Sequence, residues 1–331
     1  MSIKIGLNLE FIRTEDKSFA EGVQRAAQIG YEYCEPLVHS GYELLSGGGY
    51  YHSFSMLDDP YEMKDVLDRC GIKLSALSSH GPLMRPEVSI PYMEQAIRFA
   101  AVVGAPVINS DEGIRPRWVP KEEAFQVMKY TLTRVCMTAE RYGIYVGIEP
   151  HQEITTTTEG LMRVATLVDS PMLRVNYDTG NAWLGGEDPY EGLRTVGKLL
   201  VHVHAKDIDP RQSEKERGVV TGTPVGCACG DGVIDWSKVI AILRENGFDG
   251  TLSVECGTDA QARRSLKHLS ELCPQKREEV ALALKAVHRP VVAGCPGGHE
   301  PRRPSPGNGG DRRTSLRHLL RVVVRGLSAG S

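Results

Sequence analysis

The chain has 331 residues, 41% of them apolar, with a formal charge of −3. Residues 289–331 hold eight Arg, no Lys and two acids, so residues 1–288 carry 31 basic against 40 acidic side chains. An acidic body argues against a nucleic-acid enzyme, which needs clustered Lys and Arg for phosphates.

The opening MSIKIGLN has no apolar signal core, and no run nears the roughly 20 apolar residues of a membrane span. A cytoplasmic location away from membranes is expected. Strand-like and helix-like stretches then alternate. A strand at Ile3–Asn8 precedes a helix near Ser18–Ile29, and a strand at Tyr33–Val38 precedes one near Tyr61–Cys70. Lys73–Leu77 leads to a helix near Pro91–Val103, and Pro106–Asn109 to one near Lys121–Tyr142. Tyr145–Glu149 leads to a helix near Thr158–Val168, and Leu173–Asp178 to one near Tyr190–Val196. Leu199–Ala205 is followed by a long loop, 208–234, and a helix near Trp236–Asn246. Thr251–Glu255 is followed by a helix from about Asp259. Gly30, Gly71, Gly104, Gly143 and Gly247 sit where left-handed helix caps belong.

Eight βα units in this length predict a (β/α)8 TIM barrel, a single α/β domain over residues 1–272. A doubly wound sheet fits less well, because no GxGxxG turn follows the first strand. Residues 273–331 form an extension that becomes rich in Arg, Gly and Pro, expected to be irregular or poorly ordered. The eight cysteines form no CxxC pair and read as free thiols.

Four of the strands end in metal-liking residues: Glu149, Asp178, His204 and Glu255. Strands buried on both faces have little reason to end in carboxylates, and the open mouth of a barrel lies at its C-terminal strand ends. Three carboxylates and one imidazole form a hard donor set. It suits Mn²⁺, with Mg²⁺ or Co²⁺ as alternatives, better than a structural zinc. His202 shares a face with His204 by alternation along the strand.

The motifs VGIEPH (146–151), NYDTGN (176–181), HVHAKD (202–207), GDGVIDW (230–236) and GFDGTLSVE (247–255) resemble the xylose-isomerase-like barrels of sugar phosphate isomerases and epimerases. The resemblance covers about residues 3–270. It implies that Glu149, Asp178, His204 and Glu255 bind one divalent metal. It also implies that Glu149 and Glu255 exchange a proton α to the carbonyl of a ketose or keto-sugar, through an enediolate stabilised by the metal.

Two departures unsettle a simple ketose 3-epimerase. Asn181 stands where those enzymes carry His, and Lys206 is the nearest cation where they carry Arg. Glu149-Pro150-His151 and the loop 208–234 are similar to the barrel subunits that cleave 3-oxo C-glycosides. There His151 would act as the base of a lyase reaction, and a small second subunit would be a partner. A homo-oligomer is the other partner expectation. Endonuclease IV shares this barrel, but its many His ligands and DNA substrate fit poorly. A metal-free sugar-binding barrel is a further alternative.

His80, Glu35, Asn181, Lys206, His202 and Trp118 are candidate substrate contacts. Trp183 and the Tyr50–Tyr51 pair offer aromatic faces. Lys206 and Asp207 are read as a rim ion pair or as support for His204. Asp235 is read as a helix cap. With no phosphate cradle or cluster of cations in sight, an unphosphorylated substrate is expected.

Overall fold

The computed structural model describes residues 3–41, 52–219 and 225–273. In chain order the elements are β1 (Lys4–Asn8), α1 (Phe19–Ile29), β2 (Tyr33–Glu35), β3 (Val38–His39), β4 (Phe54–Ser55) and α2 (Pro60–Cys70). There follow β5 (Lys73–Leu74), β6 (Leu77–Ser78), α3 (Pro86–Val103), β7 (Val107–Ser110), α4 (Lys121–Tyr142), β8 (Tyr145–Ile148) and α5 (Thr158–Ala165). Then come β9 (Leu173–Asp178), α6 (Thr179–Leu184), α7 (Pro189–Val196), β10 (Leu200–Ala205), α8 (Pro210–Glu216), α9 (Trp236–Glu245), β11 (Thr251–Val254) and α10 (Asp259–Leu272).

One parallel sheet runs β5-β2-β1-β11-β10-β9-β8-β7-β6. Its two outer members, β5 and β6, are halves of one barrel strand split at Ser75 and Ala76, so the row of strands is a ring. The split has a cause on the neighbouring strand. Pro36 has no N–H to donate, and β2 stops before it. Ser75 N donates to the Cys34 carbonyl and Ser78 N to the Pro36 carbonyl, both at 2.9 Å. Three residues of advance on one strand thus match two on the other, a local bulge. The eight expected strands are present, with the second and third interrupted at this point. The β3–β4 pair is a small separate sheet.

Side chains alternate along each strand. Val146, Ile148, Val175, Tyr177, Val203, Ala205, Leu252 and Val254 face the helices. They are buried with Val23, Ile97, Leu132, Leu161, Leu193 and Val239 in one apolar shell. The opposite strand faces are polar near the C-terminal end: Asn109, Asn176, His202 and Ser253 lie one layer below the strand tips. The helices start and stop as their ends dictate. Ser18 and Glu21 form a capping box on α1, and Gly30, Gly71, Gly104 and Gly143 close helices with positive φ. Among the described residues, no helix is long and apolar enough to cross a membrane. The last described helix ends at Leu272, and the tail 289–331 lies outside the described residues.

Gly147 is fixed by packing. A Cβ there would lie 2.6 Å from Asn109 Oδ1 and 3.1 Å from Asn176 Cβ. The polar layer therefore needs a strand with no side chain at this point. Gly147→Ala is expected to lower stability by about 1–3 kcal/mol, read as a lower urea midpoint. An unchanged midpoint would mean that Asn109 gives way freely.

Candidate active site

The site is built from strand ends. Asp178 is both the last residue of β9 and the N-cap of α6, where its Oδ1 accepts from Asn181 N at 2.8 Å. Glu149 follows β8, anchored by its own N–H on the Ser110 carbonyl. Glu255 follows β11, with its N–H on the Ala205 carbonyl. His204 projects from β10 between them. Its Nδ1 lies 3.1 Å from both Glu149 Oε2 and Glu255 Oε1, and its Nε2 lies 3.0 Å from Glu35 Oε1.

Amides hold the carboxylates in place. Asn176 donates to Glu149 Oε2 at 3.0 Å, Asn181 to Glu149 Oε1 at 3.3 Å, and Asn8 to Glu255 Oε1 at 3.0 Å.

Lys206 is the second cation. Its Nζ lies 2.9 Å from Asp178 Oδ2 and 2.6 Å from Glu255 Oε2, and it donates to Asn181 Oδ1 at 3.1 Å. Its stem runs between two glycines. A Cβ on Gly180 or Gly226 would come within 2.6 or 3.0 Å of Lys206 Cγ. The expected rim ion pair with Asp207 is therefore not formed: Lys206 is buried inside the cluster. Asp207 points the other way and organises the following loop. It accepts from Ile208 N, Gly230 N, Gly232 N, Ile234 N and Trp236 Nε1 at 2.8–3.3 Å. Asp235 caps α9, accepting from Lys238 N.

The electrostatics follow from burial. Desolvation disfavours the charged forms, but the carboxylates of Glu149, Glu255 and Glu35 outweigh it and raise His204 well above its ordinary value. Burial works against the Glu149 carboxylate too, yet His204 holds it at about 2. Burial lifts Asp178 to about 6, with Lys206 opposing and Glu255 and Glu149 reinforcing the rise. Burial lowers His202 to about 4, which fits its place one layer down. There its Nδ1 lies 3.0 Å from Asn176 Oδ1 and its Nε2 3.6 Å from Glu35 Oε2.

Donor atoms of Glu149, Asp178 and His204 all lie within 4.8 Å of one another, as do those of Glu35, His202 and His204. The first set, joined by Glu255, opens on the mouth. Four carboxylates here face one ammonium and one imidazole. A divalent cation fits this imbalance: as a ligand His204 gives up its proton, and two positive charges replace one.

Beside the cluster, Asp111 Oδ2 lies 2.5 Å from His151 Nδ1 and 3.3 Å from His80 Nδ1. The two rings are 5.3 Å apart, and His80 Nε2 is 4.0 Å from Glu149 Oε2. Burial would lower both imidazoles, but the bond to Asp111 prevails. His80 rises to about 9, and His151 is raised with Glu149 contributing. Glu112 latches this corner. It accepts from Ile154 N and Thr155 N and from the Thr155 hydroxyl, while Thr155 Oγ1 accepts from His151 N.

The structure thus gathers Glu149, Asp178, His204, Glu255, Lys206, Asn181, Glu35, His80 and His151. His202 supports them from below. Trp118 stands 85% exposed ahead of α4, away from the cluster's contacts. Trp183 packs under the Arg217 guanidinium and donates to Ser213. Tyr50 and Tyr51 lie outside the described residues. Asn8, Asp111, Glu112 and Asn176 were not expected. Asp111-Glu112 is an acidic pair just past a strand end, the same signal that marks Glu149 and Glu255.

The family model for the xylose isomerase-like TIM barrel matches residues 23–272. The chain belongs to that family. Among curated relatives, inosose dehydratase of Clostridium botulinum is 24% identical over 212 residues, covering 62% of this chain and 64% of that one. Inosose dehydratase of Lacticaseibacillus casei is 30% identical over 135 residues, covering 39% and 45%. The chain therefore spans less than two thirds of the length of these relatives.

Two solved structures share the fold. A D-tagatose 3-epimerase-like protein has a TM-score of 0.67 at 21% identity, covering 85% of this chain and all of that one. A probable 3-DHS dehydratase of Bacillus anthracis has a TM-score of 0.62 at 19% identity, covering 81% and 99%.

Lys206→Met removes the ammonium from two buried carboxylates and is expected to destabilise the metal-free protein by about 3–5 kcal/mol. Mn²⁺ should raise the melting temperature of this variant more than that of the wild type. An equal shift in both would disconnect Lys206 from the charge balance of the site.

Proposed function

We propose that the chain is a divalent-metal-dependent dehydratase. It removes the proton α to the carbonyl of a keto-cyclitol or keto-sugar and expels a β-hydroxyl as water. The observation that carries this reading is an Asp-held imidazole, His151, beside the convergent Glu149, Asp178 and His204. Glu149, Asp178, His204 and Glu255 would hold the metal. When bound, such an ion polarises the substrate carbonyl and acidifies the neighbouring C–H.

The protein's own groups divide the remaining work. Asp111 Oδ2 and Gln152 Nε2 both lie against His151 Nδ1, at 2.5 and 2.8 Å, which leaves Nε2 as the ring nitrogen that takes the proton. Burial opposes the charged form of His151, and Asp111 first and Glu149 after it raise the imidazole. Lys206, in contact with Asp178, Glu255 and Asn181, is the ammonium placed to meet the departing oxygen. One base and one acid suffice for elimination. Epimerisation needs a second base on the opposite face. Glu255, the residue for that role, is engaged by Lys206 and Asn8. The names of the curated relatives support a cyclitol-like ketone as substrate and hydroxide as leaving group.

The epimerase reading keeps one observation in its favour: Glu149 and Glu255 approach the same His204 nitrogen from different strands. The Mn²⁺-loaded protein should convert an inosose to a conjugated product, seen as new ultraviolet absorbance. With free ketoses it should give no epimer by NMR. Epimer formation without absorbance would sink the dehydratase reading. His151→Asn should lower turnover by about 10²–10⁴-fold and leave Mn²⁺ affinity nearly unchanged, whereas Glu149→Gln should weaken Mn²⁺ binding itself.

A further inference from the structure

A cavity of about 410 Å³ continues from Lys206 and Glu255 toward Glu10, Arg13, Thr258 and Gln261. Its size is in the range of small-molecule sites. Its charges are matched in pairs. Arg13 Nη1 lies 3.3 Å from Glu10 Oε2, and Lys206 is held between Glu255 and Asp178. Neither cation of the lining faces the cavity without a carboxylate partner. The internal segments 42–51 and 220–224 contain no Lys or Arg in the sequence.

Among the described residues the N-terminus of α10 could also attract an anion, and it is partly capped by the chain's own groups. Thr258 Oγ1 accepts from Gln261 N, and Gln261 Oε1 accepts from Gly257 N. Asp259 adds a carboxylate in the first turn. An incoming phosphate or carboxylate would have to displace Glu10 from Arg13 and would meet Glu255 in the same space. A neutral hydroxyl meets no such conflict: it can donate to Glu10 or Glu255 and accept from Arg13.

We propose that this cavity selects uncharged polyhydroxylated ketones over phosphorylated or carboxylated ones, with the Glu10–Arg13 pair setting the selection. The proposal rests on the keto-substrate reading above and names which members of that class the site admits. Glu10 and Arg13 are specificity-determining residues here, because the substrate's far hydroxyls would contact them.

The test measures binding of three probes to the Mn²⁺-loaded protein by calorimetry: an inosose, its phosphate ester, and a carboxylated six-ring ketone. The wild type is expected to bind the neutral probe at least about tenfold more tightly than either anion. Glu10→Gln removes the carboxylate charge beside Arg13 and should narrow that ratio by about tenfold, mainly through tighter binding of the anions. The double variant Glu10→Gln/Arg13→Met should lose that gain, and Glu10→Asp should keep the wild-type preference. Anions bound as tightly as the neutral probe by the wild type, or a ratio unmoved by Glu10→Gln, would overturn the proposal.

Exchange of the α-proton with D2O, followed in the same samples, separates the two ideas. Selectivity without exchange overturns the dehydratase reading alone. Exchange without selectivity overturns the cavity proposal alone. Failure of all three probes to bind overturns both.

Discussion

Too many carboxylates in too little water is the condition under which this barrel mouth is built. Glu35, Glu149, Asp178 and Glu255 converge where the strands end, and each is costly to bury as an anion. His204 and Lys206, two residues apart at the end of β10, point into the same space and supply the compensation. The remaining features of the mouth serve this arrangement. Asn8, Asn176 and Asn181 fill the lone pairs that the cations leave. Gly180 and Gly226 clear a path for the lysine stem, and Gly147 makes room for the amide layer below. A barrel with this charge imbalance binds a dication as a continuation of its own electrostatics.

The mouth has two halves with different characters. On the side of β6, β7 and β8, Asp111 joins two imidazoles and Glu112 pins the adjoining loop, so orientation of a proton acceptor dominates. On the side of β1, β10 and β11, paired charges line a cavity without offering a free one. Chemistry is thereby concentrated on one wall and recognition on the other. This division matches a substrate with one reactive carbonyl and several hydroxyls that only need to be held.

Much of this was legible in the chain itself. Eight apolar runs, glycine stops and four polar strand ends are each local features, and local features survive into the fold. The quartet could be recognised because carboxylates at the tips of buried strands are anomalous without a shared purpose. Asp111 and Glu112 were missed because the fourth strand was read as ending at Asn109, which left them as ordinary loop acids. A rim ion pair is one of two readings of Lys206 and Asp207 in the sequence, because a lone Lys-Asp pair normally belongs in water. The approach of two glycines, Gly180 of α6 and Gly226 of the loop after β10, shows that the lysine stem is enclosed. The break at Pro36 was visible as a residue, but its effect on the third strand depends on cross-strand pairing, which no single segment encodes.

The Asp207 carboxylate is the nucleus of the turn that follows β10. Four main-chain donors and one indole converge on it, so the path of residues 226–236 is written largely in backbone amides around one anion. Val225 and Gly226, which wall the cavity, enter this anchored turn. Gly226 is fixed there by the Glu255 carbonyl and the Lys206 stem, so Val225 is the part of this wall that can be exchanged to reshape what the cavity accepts while the turn beneath keeps its form.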